Sequence, residues 1–216
     1  MNRFPTLHPR SATEIAEPPV AKFLFADTRM AWLWLVVRLY IAYEWITAGW
    51  EKMTGHSIAL GSFGQSTGES WVFGAHAGTA MKGFVASSLA LTTGAHPSVQ
   101  GWYATFLQHF VLPNALAFSY VITFGEILVG LGLIFGALTG IAAFFGLFMN
   151  LNYLFAGMVS INPIMGALTM LLVLAWRIAG YYGIDRYLLP ILGTPWTGSL
   201  EKKIRQENAA QILAAD

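Results

Sequence analysis

The chain has 216 residues, 56% of them hydrophobic and 11% charged, less than half the roughly 25% charged fraction of an ordinary soluble domain. Twelve Lys and Arg against eleven Asp and Glu leave a formal net charge of +1, which excludes the basic field of a nucleic-acid-binding protein and the tail of an acidic one. No cysteine is present, so disulfides, cysteine-ligated iron–sulfur clusters and CxxCH haem attachment are excluded as well. The charges are unevenly spread: the 94 positions between Lys82 and Arg177 carry only Glu126. A soluble fold would need an implausibly large dry core to hold that stretch, whereas an all-α, lipid-embedded protein accommodates it directly.

In chain order, residues 1–29 hold Pro5, Pro9, Pro18 and Pro19 among mixed charges and read as a retained cytoplasmic tail. A membrane-crossing helix needs about 20 residues, and four segments meet that length: residues 30–52, 117–135, 141–157 and 164–182. The second and third are joined by the glycine-bounded turn Gly136 to Gly140, and Asn162-Pro163 opens the fourth. Arg3, Arg10, Lys22 and Arg29 precede the first span, and Arg186, Lys202, Lys203 and Arg205 follow the last. By the positive-inside rule both termini are cytoplasmic, and the 53–116 connection faces outside. Within that connection Gly61 to Gly78 reads as loop, while Ala80–Leu91 and Gly101–Val111 read as short helices at the interface, with Trp71, Trp102 and Tyr103 at boundary depth. The tail 197–216 is a second cytoplasmic segment with a helix from Ser199. The expected architecture is an integral membrane four-helix bundle with a long extracytoplasmic connection between helices 1 and 2.

Charges inside such spans are costly and normally pair within the bundle. Counting from Met30, Arg38 lies about 12 Å into the first helix; counting from Gly136, Glu126 lies about 15 Å into the second, and Asn150 reaches about 15 Å in the third. A central Arg38–Glu126–Asn150 cluster follows. It is either a structural ion pair fixing helix register or, with Trp45, the lining of a pocket for a lipid-soluble polar ligand such as a quinone headgroup. Arg38, Ala42, Trp45, Gly49 and Lys52 share one helical stripe, with Glu44 offset from Arg38 by 120°. Glu51 and Lys52 fall at the outer boundary, as snorkelling or solvated charges, and Arg177 reads as an inner anchor. The spacing of Gly132, Gly136 and Gly140 indicates close helix packing. His8 sits in the tail and His56, His76, His96 and His109 in the outer connection, outside the spans, so neither a haem nor a metal site is inferred.

Three groups of residues together resemble the DoxX family, which includes the DoxD-type subunit of thiosulfate:quinone oxidoreductase. They are Arg38 with Gly49-Trp-Glu-Lys52, the run Gly125-Glu126 to Gly140, and Trp176-Arg-Ile-Ala-Gly180 to Asp185. The likeness covers residues 29–196. It implies a multi-pass protein of the prokaryotic plasma membrane in contact with lipid and, as in some members, a subunit that works with a partner redox subunit and passes electrons from thiosulfate or a thiol system to quinone. The family's basic residue falls on Arg38, its Gly-Lys pair on Gly49 and Lys52, and its Gly-Glu pair on Gly125 and Glu126. On that reading Glu126 relays a proton and Arg38 stabilises the reduced ring, with Trp45 and Asn150 completing the quinone pocket. Quinone reduction through the protein's own thiols is excluded by the missing cysteines. The competing expectation is a non-enzymatic membrane scaffold or small-molecule carrier that uses Arg38–Glu126 as a clamp.

Overall fold

The computed structural model describes residues 18–192, which are helical apart from turns and one isolated antiparallel bridge between His56 and Ser66. The expected C-terminal tail, with its Ser199 helix, and residues 1–17 lie outside the described residues. Pro18-Pro19 starts a first helix, α1 (Pro19–Ala26), because proline at the first turn gives up only an amide that has no helical partner anyway. The chain then turns through Thr28–Met30, where the Asp27 carboxylate accepts from the Arg29 amide at 2.9 Å. Residues assigned to the N-terminal tail are therefore partly built in. Leu24 and Phe25 pack on the main core, and Trp34 donates to the Leu24 carbonyl at 2.8 Å.

Helix α2 (Ala31–Thr54) closes on Gly55 at φ 74°. In the connection α3 (Thr79–Ala90) is followed by α4 (Gly101–Phe106), which runs on without a break into a π turn at Leu107–Val111, a 3-10 turn at Leu112–Asn114 and α5 (Ala115–Phe135). Pro113 has no amide to continue an α-helical ladder, and the helix accommodates it by widening and then tightening its turns. Gly101–Phe135 is thus one helical stretch of 35 residues, and among the described residues it is the one helix long and apolar enough to cross a membrane. It begins well before Ala117, the predicted start. Helices α6 (Thr139–Phe155) and α7 (Asn162–Leu174) are apolar but shorter. The predicted fourth span does not run unbroken to Tyr182: it stops at Leu174, steps through Ala175 into the short α8 (Trp176–Ala179), and turns before α9 (Asp185–Ile191).

The most extensive packing is α2 against α5; α6 lies against α5 and α7, and α7 returns to α2. Trp34, Ile41, Trp45, Leu133 and Leu172 are centred between them. Glycines let the backbones approach. A Cβ on Gly49 would stand 2.7 Å from Ile127 Cγ1, and one on Gly130 would stand 2.5 Å from Ile46 Cγ1. Gly132 meets Ala142 and Gly140 meets Trp176, so these two glycines of the predicted packing series do allow close approach. Gly136 instead takes the left-handed conformation that ends α5, with the Ala137 amide bonding back to Gly132 O.

The connection has a hydrophobic core of its own. Met81, Val85, Val99, Tyr103 and Leu107 are buried together with Ala156 at the end of α6, so α3 and α4 form a cap on one end of the helices.

Candidate functional site

The buried charges form two centres at opposite ends of the helices, and the predicted Arg38–Glu126–Asn150 cluster does not exist. Gly49 sits against Glu126, whereas Arg38 sits against Gly136. At about 1.5 Å per residue the two charged side chains spring from levels about 15 Å apart. The depth count misplaced them because it set Met30 and Gly136 at a common edge. In fact α2 begins about two turns beyond the α5–α6 corner, a register fixed by the close contacts at Gly49 and Gly130.

At the terminal end, Arg38 Nη1 donates to Ala179 O at 3.2 Å and Nη2 to Tyr182 O at 2.9 Å. These are carbonyls left without helical partners where α8 ends, and a buried cation satisfies them. Asp185 does the reciprocal work. Its Oδ1 accepts the Leu138 amide at 2.6 Å and its Oδ2 the Thr139 amide at 2.8 Å, which caps α6 from 46 residues away. The cap also holds Leu138 at φ 49°, an uncommon conformation for a residue with a side chain. Gly136 and Gly183 leave the space that the guanidinium fills. Arg38 and Asp185, both buried, therefore tie the α5–α6 corner to the α8–α9 corner. Arg38 is a structural clasp and not a member of the pocket.

At the connection end, Lys52 Nζ stands 2.9 and 2.8 Å from the two oxygens of Glu126, and the Tyr153 hydroxyl donates to Oε1 at 2.5 Å. Glu126 is fully buried. The ammonium also lies 5.3 Å from the Trp71 ring centroid and 5.8 Å from that of Tyr153, so two aromatic faces share its charge. Trp71 is brought there by the connection, its amide bonded to Lys52 O at 2.8 Å. Trp45 stacks on Tyr153 at 6.4 Å.

These groups line a cavity of about 290 Å³ together with Glu44, Phe84 and Asn162, at the small end of the roughly 300–1,000 Å³ usual for ligand sites. One cation, two carboxylates (Glu126, held by Lys52, and Glu44), a phenol and flat aromatic walls converge on it. That set can hold a planar molecule with polar oxygens, stabilise negative charge on it and exchange a proton with it. The Trp45 indole N–H is buried and has no hydrogen-bond partner among the described residues.

Of the predicted site residues, Glu126 and Trp45 reach this cavity. Asn150 lies behind the wall: its Nδ2 donates to Asn162 Oδ1 at 3.1 Å, and its Oδ1 has no partner among the described residues. Lys52, read as a snorkelling boundary charge, is the true partner of Glu126. Its signal was present in the stripe Arg38, Ala42, Trp45, Gly49, Lys52, which does face inward at its first four positions. Tyr153, three residues after Asn150, shares its helix face. Trp71 was expected at boundary depth, but nothing in the sequence tied it to Lys52, since only the folded connection brings it there. His109, assigned to the connection outside the spans, lies within the 35-residue helical stretch, with its Nδ1 3.1 Å from Thr105 O. Among the described residues no group of three or more His, Asp or Glu is placed to hold a metal ion.

No family model matches the chain, and neither a curated protein nor a solved structure matches it.

Proposed function

We propose that the chain is a DoxX-like, multi-pass protein of a prokaryotic plasma membrane whose α2, α5, α6 and α7 form a four-helix membrane bundle. It acts as a redox-associated subunit that binds quinone at Lys52, Glu126 and Tyr153. The membrane reading is supported by the outward faces of α5, α6 and α7, where Val121, Leu128, Phe144, Phe148 and Met170 are each more than half exposed, an apolar surface suited to lipid. Lys22, Arg29, Arg177 and Arg186 flank the terminal end. Their position supports a cytoplasmic placement of that end and an extracytoplasmic cap.

The observation that carries the ligand reading is the Lys52–Glu126–Tyr153 constellation opening on an aromatic cavity. Lys52 would donate to a ring oxygen and stabilise the charge it gains, the role assigned from sequence to Arg38. Glu126 would pass protons between Lys52, Tyr153 and the cavity. Quinone, when bound, supplies the electron acceptor: it takes up two electrons and two protons. Oxidation of thiosulfate or of thiols on a partner subunit in contact with the ring would release two electrons directly to it, and two protons drawn from water through Glu126 would balance them.

The test is to purify the protein in native lipid, identify co-purifying quinone, and repeat with Glu126→Gln, Lys52→Gln and Arg38→Gln. Glutamine keeps the volume of Glu126 and an acceptor for Tyr153, so the fold is expected to persist. Loss of quinone in the Glu126 and Lys52 variants, with folded Arg38→Gln retaining it, is the expected result. Undiminished quinone in the folded Glu126 and Lys52 variants would refute the site and leave the pair as a structural clamp in a scaffold or carrier.

A further inference from the structure

The polar cavity shares a wall with a second, apolar cleft. Phe84 and Tyr153 line both. The cleft encloses about 260 Å³ between the Gly101–Val111 segment, α5 and α6, and its sides are chiefly the rings of Phe106, Phe110, Phe118 and Phe148. The π turn at Leu107–Val111 shapes it, because the wider turn re-aims Leu107, Phe110 and Val111 relative to α4.

The polar side chains on its wall are already committed. The Tyr103 hydroxyl donates to Asn152, 3.0 Å from its main-chain oxygen and 3.1 Å from Oδ1; the Asn152 amide donates to Phe148 O at 2.8 Å; and the Tyr153 hydroxyl is held by Glu126. What the cleft offers an occupant is hydrocarbon and ring faces. Its rim includes Val121, 68% exposed on the outward apolar face of α5, so a chain longer than the cleft would run out sideways along that face.

We propose that this cleft takes the isoprenoid tail of the ligand whose ring enters the Lys52–Glu126 cavity, with Tyr153 and Phe84 as the partition around which head and tail divide. The inference rests on the quinone reading of the polar cavity. It adds that the ligand class is a long-tailed quinone seated with its head under the α3–α4 cap. A site whose two halves share two side chains, one polar on its head side and one dry on its tail side, matches the two chemistries of such a molecule joined at one bond.

The experiment compares a tail-less benzoquinone with the same ring carrying two isoprene units. Both are titrated into the full-length protein in nanodiscs, into Val121→Trp at the rim and into Ile122→Trp deeper in the cleft, with thermal unfolding confirming that each variant is folded. A diazirine at the tail end of the longer ligand reports its position by mass spectrometry. The expected result is that the tailed ring binds wild type about tenfold more tightly than the bare ring, that the folded tryptophan variant removes most of this preference without changing bare-ring binding, and that crosslinks fall on Phe106, Phe118 or Phe148. Val121→Trp, at an exposed position, keeps the comparison valid if the deeper variant does not fold.

An unchanged tail preference in the folded tryptophan variants would overturn the proposal while leaving the head site standing. So would crosslinks elsewhere, or a phospholipid chain held in the cleft that the tailed ring does not displace. Failure of the bare ring to bind, or binding that ignores Glu126→Gln, would overturn the head site and the tail site together.

Discussion

Lys52 and Glu126 are expected to be strongly coupled, and Arg38 and Glu126 not at all. The Glu126 side chain is 1% exposed and that of Lys52 17%. Lys52→Met leaves a dry carboxylate whose one remaining hydrogen bond among the described residues is from the Tyr153 hydroxyl. Removing one partner of a buried pair costs about 3–5 kcal/mol, and the partial exposure of Lys52 places this case near about 3. Glu126→Gln is milder, about 1–2 kcal/mol, because the ammonium keeps its two aromatic faces and can reach towards water. The double variant leaves no unpaired charge and should cost about 2 kcal/mol, giving a coupling of about 2–3 kcal/mol. The same cycle run with Arg38→Met and Glu126→Gln should give coupling within about 0.5 kcal/mol of zero, since the two residues stand on levels about 15 Å apart. Reversible unfolding in mixed micelles, followed by tryptophan fluorescence, measures all of these. Additive costs for Lys52 and Glu126, or a strong Arg38–Glu126 coupling, would refute the assignment of partners.

Two further outcomes follow from the packing. Asp185→Ala strips the cap from Leu138 and Thr139 and removes the nearest countercharge of Arg38; a loss of at least about 3 kcal/mol is expected, with quinone per folded molecule unchanged, and an Asp185→Ala protein as stable as wild type would contradict the clasp. Gly49→Leu must push α2 from α5, since even a Cβ would meet Ile127 and Glu126 within 2.7 to 3.1 Å; spin labels on the two helices should move apart by about an ångström or more, and an unchanged distance with full stability would show that the register does not depend on this contact.

The sequence carried the composition, the positions of α2, α5 and α6 to within about two residues, the packing glycines Gly132 and Gly140, and the inward stripe of α2. These are local: a helical period and a missing Cβ depend on near neighbours only. It also marked Glu126 and Trp45, because a lone acid in a long apolar run and an aromatic on the inward stripe have few other uses. It misread the second half of the fourth span, residues 175–182, where Ala175 ends the helix so that the Ala179 carbonyl can meet Arg38. It also left the cap formed by α3 and α4 as interfacial helices without a core of their own.

What the amino-acid order determined by itself was that Arg38 and Glu126 could not be buried alone; that Lys52, partly buried, and Asp185, fully buried, join them came only from the structure. Which partner each one found was decided by the register between α2 and α5, set by backbones meeting at Gly49 and Gly130. A shift of two turns between antiparallel helices changes no residue's own helical face, yet it exchanges every neighbour across the interface. The tertiary packing therefore turned one expected ion pair into a clasp at one end and a Lys52–Glu126 pair lining a cavity at the other.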